Sequence, residues 1–306
     1  MVQKKNLDKL IIVAGATCTG KSSLAIKIAQ SANGSIISAD SMQIFKGFDI
    51  GTAKVTDIAN SGIAHYMLDI VEANGNYSVS EYREDANKCI KNIINSGKRV
   101  IVAGGTGMYI DSLIYPMSYG MTPKNEKLRQ SLEKDLIKYG NQYIYDKLVA
   151  LDLARAESLH PNNTRRVIRA IEIALDGGEN KSNNEDKREP IRKHIMIGLD
   201  MPRDILYQQI ETRVDTMFEQ GLLNEVETLY KMIGMNSQSM QAIGYKEFAW
   251  YFNGEISIDK VKSLIKKNTR NYAKRQLTWF RKYPNIKWFN AIDERDKALA
   301  YIMENL

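Results

Sequence analysis

The sequence predicts an α/β fold in which a parallel β-sheet core is interrupted by a mostly helical insertion. Three observations carry this expectation. A short apolar run near the N-terminus ends in a glycine-rich turn and passes into a helical repeat. Further short apolar runs alternate with helical patterns, and the texture changes between about residues 117 and 190.

Taken in order, Lys9–Ala14 reads as a strand, and Ser23–Ser31 continues at helical spacing through Leu24, Ile28 and Ala29. Ser35–Ser38, His65–Ile70 and Arg99–Ala103 read as further strands, with a helical pattern over Ser78–Asn95. Thr122-Pro123 is a helix-start signal, after which Leu128, Leu132 and Leu136 share one helical face. The helical reading runs to about Leu175, where Gly177-Gly178 stops it, and Glu179–Glu189 has the polar composition of an exposed loop. His194–Leu199 resumes the strand style. Long helical patterns at Arg203–Met232 and Ser257–Arg281 and a short strand at Ile286–Phe289 follow. The expected organisation is a core of residues 1–116 plus 191–306 and a helical insertion of residues 117–190.

A chain of 306 residues that is 43% hydrophobic and 26% charged buries a full core without disulfides or structural metals. Cys18 and Cys89 fit neither a metal-ligand spacing nor a disulfide framework, so a reducing, cytoplasmic setting is expected. The N-terminal apolar run is too short for a signal or membrane segment, and no other stretch approaches a membrane span. The net charge of +7 favours an anionic partner, and only the distribution of that charge can say which.

The most specific local signal is Gly15-Ala16-Thr17-Cys18-Thr19-Gly20-Lys21-Ser22, which fits G-x-x-x-x-G-K-[ST] between a strand and a helix. Glycines let successive backbone N–H groups point inward, and the helix N-terminus adds partial positive charge toward the same anion. Lys21 then neutralises phosphate oxygens, and the Ser22 hydroxyl is a ligand for Mg²⁺. The core is therefore expected to be P-loop NTPase-like. Cys18 reads as a small loop residue rather than a reactive thiol.

In a parallel sheet, residues that follow strands converge on the ligand. Asp40-Ser41 follows the second strand and Gly104-Gly105-Thr106-Gly107 follows the Arg99–Ala103 strand, which makes Asp40 a candidate general base. The same residues are also favoured for local reasons, Asp as a turn cap and Gly as a tight connection. Two basic groups stand out. Arg165, Arg166 and Arg169 share a side of one predicted helix, and Lys266, Lys267, Arg270, Lys274, Arg275, Arg281 and Lys282 lie in a stretch without Asp or Glu, interleaved with Tyr272, Trp279 and Phe280. Such a stretch binds nucleic acid through phosphates and stacked bases, or is the solvated face of a helix with core aromatics. His65, His160 and His194 read as structural.

Together these segments resemble one family. Asp40-Ser41-Met42-Gln43, Asp49-Ile50-Gly51-Thr52-Ala53-Lys54, Gly104–Tyr109, Arg165–Ala170, Gln241-Ala242-Ile243-Gly244-Tyr245-Lys246 and Lys274-Arg275-Gln276-Leu277-Thr278-Trp279 are similar to the successive signatures of bacterial tRNA dimethylallyltransferases, or tRNA isopentenyltransferases. The resemblance covers nearly the whole chain. It implies transfer of a dimethylallyl group from its diphosphate to N6 of the adenosine immediately 3′ of the tRNA anticodon, with release of diphosphate and with Mg²⁺ as cofactor.

By that resemblance Asp40 takes the proton from N6, and Thr17, Lys21 and Thr106 act beside the reacting groups. Gly15–Ser22 holds the diphosphate. The tRNA contacts fall on Asp40, Ser41, Met42 and Gln43, on Arg165, Arg166, Val167, Ile168 and Arg169, on Met240, Gln241, Gly244, Tyr245 and Lys246, and on Lys274, Arg275, Gln276, Thr278, Trp279 and Arg281. Arg129 matches a further position near the substrate. Flipping of the target base out of its loop is expected, and the chain is expected to act as a monomer. Ala16, Cys18 and Thr19 depart from the commonest family loop but leave its glycines, Lys21 and Ser22 intact. A small-molecule kinase, a prenyl transferase acting on free adenine nucleotides and an RNA-binding ATPase are the competing readings.

Overall fold

The computed structural model describes residues 7–54, 62–116, 125–176 and 189–306. Six strands form one sheet: β1 (Leu10–Gly15), β2 (Gly34–Ser38), β3 (His65–Tyr66), β4 (Arg99–Ala103), β5 (His194–Asp200) and β6 (Lys287–Asn290). Their order is β3-β2-β4-β1-β5-β6 and every pairing is parallel. β1 is central, with Ile11 beside both Ile101 and Ile195, and all six of its residues are buried, as a strand covered on both faces requires.

The helices in chain order are α1 (Lys21–Ser31), α2 (Val79–Asn95), α3 (Gly107–Ile114), α4 (Glu126–Leu151), α5 (Leu153–Glu157), α6 (Thr164–Leu175), α7 (Arg203–Glu219), α8 (Leu222–Ile233), α9 (Phe248–Phe252), α10 (Ile258–Phe280) and α11 (Arg295–Glu304). Their starts have chemical causes. Ser78 and Glu81 make a reciprocal capping box on α2, and Asn125 and Ser257 accept backbone N–H groups of α4 and α10. At α1, Gly20 precedes the helix in a left-handed conformation (φ 78°) with no side-chain cap. The first N–H groups of α1 are thus left for something else.

The chain divides into two compact units, Met1–Ile114 with Ile191–Leu306, and Tyr115–Pro190. In the first, the apolar faces of α1 and α7 meet the sheet through Leu24, Ile28, Leu206 and Ile210. In the second, Leu132, Ile144 and Leu148 of α4 pack on Val167, Ile168 and Ile171 of α6. No described helix is long and apolar enough to cross a membrane.

The structure departs from the sequence reading in three places. The strand expected over His65–Ile70 stops at Tyr66, because Met67 (φ 63°) and Asp69 (φ 52°) take left-handed conformations that no ladder accommodates. The single helix expected over Arg203–Met232 is two helices, broken at Gly221 (φ 96°). α3, α9 and α11 were not anticipated, being short or lacking a marked apolar period. The expected helix start at Thr122-Pro123 and stop at Gly177-Gly178 lie outside the described residues.

Candidate active site

The Gly15–Gly20 loop leaves the C-terminal end of β1. Gly15 has φ 143°, and a Cβ there would lie 2.5 Å from the Leu199 carbonyl oxygen, so only glycine fits against β5. Thr19 is fully buried and its hydroxyl donates to the Ala16 carbonyl at 2.9 Å, closing the loop on itself. Lys21 folds back so that Nζ also donates to Ala16 O. Ala16, Cys18 and Thr19 turn their side chains inward, so what they offer an anion is backbone.

Asp40 follows β2. Its Oδ1 accepts the N–H of Met42 at 2.9 Å and of Gln43 at 3.4 Å, the turn-cap geometry allowed for above. That does not remove it from the chemistry. Burial raises the Asp40 carboxyl above its usual range, opposed by these two N–H groups and by the charge of Lys21. Lys21 is pushed down to about 8 by burial and by Arg213, with Cys18 and Asp40 acting the other way. A base raised and a cation lowered share one desolvated crevice.

The second glycine loop closes the crevice. Thr106 Oγ1 accepts the Ser41 N–H at 3.0 Å, fixing the turn after Asp40. None of Gly104, Gly105 and Gly107 has a left-handed φ. Their missing side chains make room: a Cβ would lie 2.2 Å from Ala39 O at Gly104, 1.9 Å from Gln276 Nε2 at Gly105 and 2.2 Å from the Trp279 ring at Gly107. These glycines let α10 and the end of β2 come close, whereas the sequence suggested approach to a ligand.

Several residues of the crevice carried no sequence signal as site residues. Arg213, on α7, donates to Thr17 Oγ1 at 3.2 Å and places a second cation beside Lys21. Tyr82, Tyr109 and Tyr272 have phenols pushed up by burial, with the charge of Asp40 adding to it, and the Tyr82 and Tyr109 rings stack with centroids 3.7 Å apart. Glu225, on α8, accepts the backbone N–H groups of Asp49 (3.2 Å), Ile50 (2.7 Å) and Gly51 (3.1 Å) and the Tyr245 hydroxyl (2.6 Å). The Asp49–Lys54 and Gln241–Lys246 segments are thereby tied together, and Gln43 is held by the Thr52 carbonyl at 3.2 Å.

The other expected tRNA-binding residues sort by exposure. Lys274, Arg275, Thr278, Arg281 and Gln241 are exposed, as are Arg165 and Arg166 in the second unit. Lys274, Thr278 and Arg281 border a cavity of about 290 Å³ with Arg203 and Tyr207, although Arg281 also pairs with Asp200 at 2.9 Å. Met240, Gly244 and Tyr245 are buried, as are Val167 and Ile168, so their side chains support the surface and do not form it. Gln276 is buried with both ends of its amide in use. Arg129 and Arg169 both bond Glu172, at 2.6 and 3.1 Å. Burial opposes the charge on Glu172, yet the two arginines prevail and hold its carboxyl below the usual range.

A strand-to-helix anion loop, an opposed carboxylate and a cationic helix in this order are not confined to one chain. Residues 43–283 match the IPP transferase family. The chain belongs to that family. It is 45% identical over 304 residues to the tRNA dimethylallyltransferase of Acetivibrio thermocellus, covering 98% of this chain and 96% of the relative. To the tRNA dimethylallyltransferase of Bacillus subtilis it is 42% identical over 292 residues, covering 95% and 93%. Its fold superposes on the crystal structure of a tRNA isopentenylpyrophosphate transferase from Bacillus halodurans with TM-score 0.72 and 38% identity, covering 97% of this chain and 95% of the other. A eukaryotic dimethylallyltransferase acting on tRNA gives TM-score 0.79 at 28% identity, covering 97% and 79%. The core is thus the P-loop NTPase-like parallel sheet of this transferase family.

Proposed function

We propose that this IPP transferase family member modifies tRNA by moving a dimethylallyl group from dimethylallyl diphosphate to N6 of the adenosine immediately 3′ of the anticodon. The observation that carries the reading is the desolvated crevice in which Lys21 of the anion loop and Asp40 influence one another's charge. An anion seat and a general base at one sheet edge suit a reaction that expels diphosphate while a nucleophile loses a proton.

In the proposed step the N6 lone pair forms a bond to C1 of the dimethylallyl group as the C1–O bond to diphosphate breaks. Asp40 takes the N6 proton. A carboxyl raised by burial lies nearer the working pH and is a better base than an exposed aspartate. The bonding pair leaves with the diphosphate, into the free N–H groups at the start of α1 and toward Lys21 and Arg213. Thr17 contributes its hydroxyl, which Arg213 holds. Thr106 acts through Ser41 by fixing the turn that carries Asp40.

Mg²⁺ fits this site only as a partner of the donor. No three His, Cys, Asp or Glu side chains gather into a metal site among the described residues. A divalent ion would be held by the exposed Ser22 hydroxyl, by diphosphate oxygens and by water. When bound, it spreads the charge of the leaving diphosphate. The tRNA contacts in this reading fall, in the first unit, on the exposed cationic face of α10 with Arg203 and on Gln241, and, within the second unit by itself, on Arg165 and Arg166.

The test is incubation with Mg²⁺, labelled dimethylallyl diphosphate and unmodified tRNA, followed by mass spectrometry of the digested nucleosides. Prenylated adenosine from tRNA, with free AMP unreactive, is the expected result. Prenylated AMP would instead make the chain a nucleotide-level transferase. Phosphorylation of a small molecule by ATP, with no prenyl transfer, would make it a kinase.

A further inference from the structure

Gln276 lies in the segment that the family resemblance assigns to tRNA contact, yet it is 5% exposed. Its Oε1 accepts the Thr17 N–H at 2.8 Å and its Nε2 donates to the Gly105 carbonyl at 3.0 Å. One amide therefore spans the two glycine loops, joining the ends of β1 and β4. No other described side chain bonds to both. The hydroxyl of Tyr272, one turn earlier on α10, lies beside Thr106 and Gln276. Trp279, one turn later, fills the space left by Gly107.

α10 thus has two faces. Tyr272, Gln276 and Trp279 recur at helical spacing on the inner side, while Lys274, Thr278 and Arg281 are exposed on the outer and Arg275 is exposed on the flank, over the Tyr272 ring. A buried glutamine with all partners satisfied is often mere packing. Here both partners belong to the loops that form the crevice, and one is the anion loop itself. The Thr17 N–H is spent on Gln276, so it is not a donor to the diphosphate, and the bond sets where Thr17 Oγ1 and the rest of the loop stand.

We infer that Gln276 is a positioning residue for the diphosphate of the donor and not a contact to tRNA: it locks the anion loop to the second glycine loop from the helix that carries the outward cations. This rests on reading Gly15–Ser22 as the diphosphate seat. Truncating it leaves the Thr17 N–H and the Gly105 carbonyl unpaired in a buried place, which frees the anion loop to relax away from the anion-binding shape.

The experiment compares wild type with Gln276→Met, which keeps the volume but not the hydrogen bonds, and Gln276→Glu, which keeps an acceptor for Thr17 but loses the donor to Gly105 and adds negative charge. Inorganic diphosphate binding is followed by calorimetry, tRNA binding by filter retention, and transfer as KM for each substrate. Gln276→Met is expected to weaken inorganic diphosphate binding and raise the donor KM about tenfold, with tRNA affinity within about twofold of wild type and Gln276→Glu worse than Gln276→Met. Weakened tRNA binding with unchanged diphosphate binding would restore the contact role and overturn the inference, as would two unchanged affinities.

Hydrogen exchange on the wild type covers a variant that fails to fold. The Thr17 amide should be protected in the free protein and unchanged by diphosphate, while amides at the start of α1 gain protection. A freely exchanging Thr17 amide would sink the lock. If wild type binds diphosphate but transfers no prenyl group, the proposed function fails and the positioning role stands. If it binds no diphosphate, both fall.

Discussion

The two glycine loops of the crevice use the same residue for different ends. In the anion loop the backbone itself needs glycine, since Gly15 and Gly20 have φ of 143° and 78°, and a Cβ there would also meet the Leu199 carbonyl and the Arg295 guanidinium. In the Gly104–Gly107 loop no φ demands it, and a side chain would strike Ala39, Gln276 or Trp279. The glycines of the first loop are required by backbone conformation as well as by neighbours, those of the second by neighbours alone. Glycine content alone therefore does not identify a ligand loop.

Four measurements test that contrast. The largest effect should come from Asp40→Asn, which removes the base and slows transfer by about 10²–10⁴-fold with tRNA binding nearly intact. Equal activity would take Asp40 out of the mechanism.

Next is Lys21→Met in the anion loop, expected to cost about 10²–10³-fold in transfer. Lys21 has its proton held at about 8 in the free protein, and the bound anion favours the charged form. Diphosphate affinity should accordingly fall as pH rises through about 8 in wild type, and this step should be missing in Lys21→Met. A pH step of the same size in the variant would assign it to another group.

Third, Gly15→Ala and Gly105→Ala should each destabilise by about 1–3 kcal/mol, since both force a Cβ into occupied space. They differ in what can relieve them. At Gly15 the obstacle is the backbone of β5, whereas at Gly105 it is the Gln276 amide. Adding Gln276→Ala should therefore recover part of the Gly105→Ala loss, with a coupling of about 0.5–3 kcal/mol by double-mutant cycle, and recover none at Gly15. A slowed reaction without loss of melting temperature in Gly105→Ala would mean that the second loop touches substrate, and the contrast would fail. The smallest effect is expected for Arg275→Ala, which should reduce the salt slope of tRNA binding by about 1. An unchanged slope would leave Arg275 outside the tRNA seat.

The anion loop was legible because its chemistry is local: eight consecutive residues bring the glycines, the lysine and the hydroxyl between a strand and a helix. Asp40 and Gly104–Gly107 could be placed at the same sheet edge because parallel strands point one way. Arg213 was not legible. It sits between Glu211 and Asp215 on an ordinary amphipathic helix, and only the packing of α7 aims it at Thr17. Glu225 was hidden for the same reason, being one acidic residue on α8 whose partners lie far away in sequence. Gly221, by contrast, was a visible stop signal inside the Arg203–Met232 pattern. The left-handed Met67 and Asp69 offered no such cue, because residue type does not announce φ at a non-glycine position.

What the sequence determined alone is what depends on neighbours along the chain: strand-loop-helix order, the parallel α/β core, the anion loop and the concentration of cations near the C-terminus. What the tertiary structure decided is which face of each helix meets the crevice. α10 shows the difference, since Lys274, Arg275, Gln276, Thr278 and Trp279 form one motif in sequence but split between solvent and the two glycine loops in space. Helical rotation of about 100° per residue separates neighbours onto opposite faces, and only packing against the sheet fixes which face is buried.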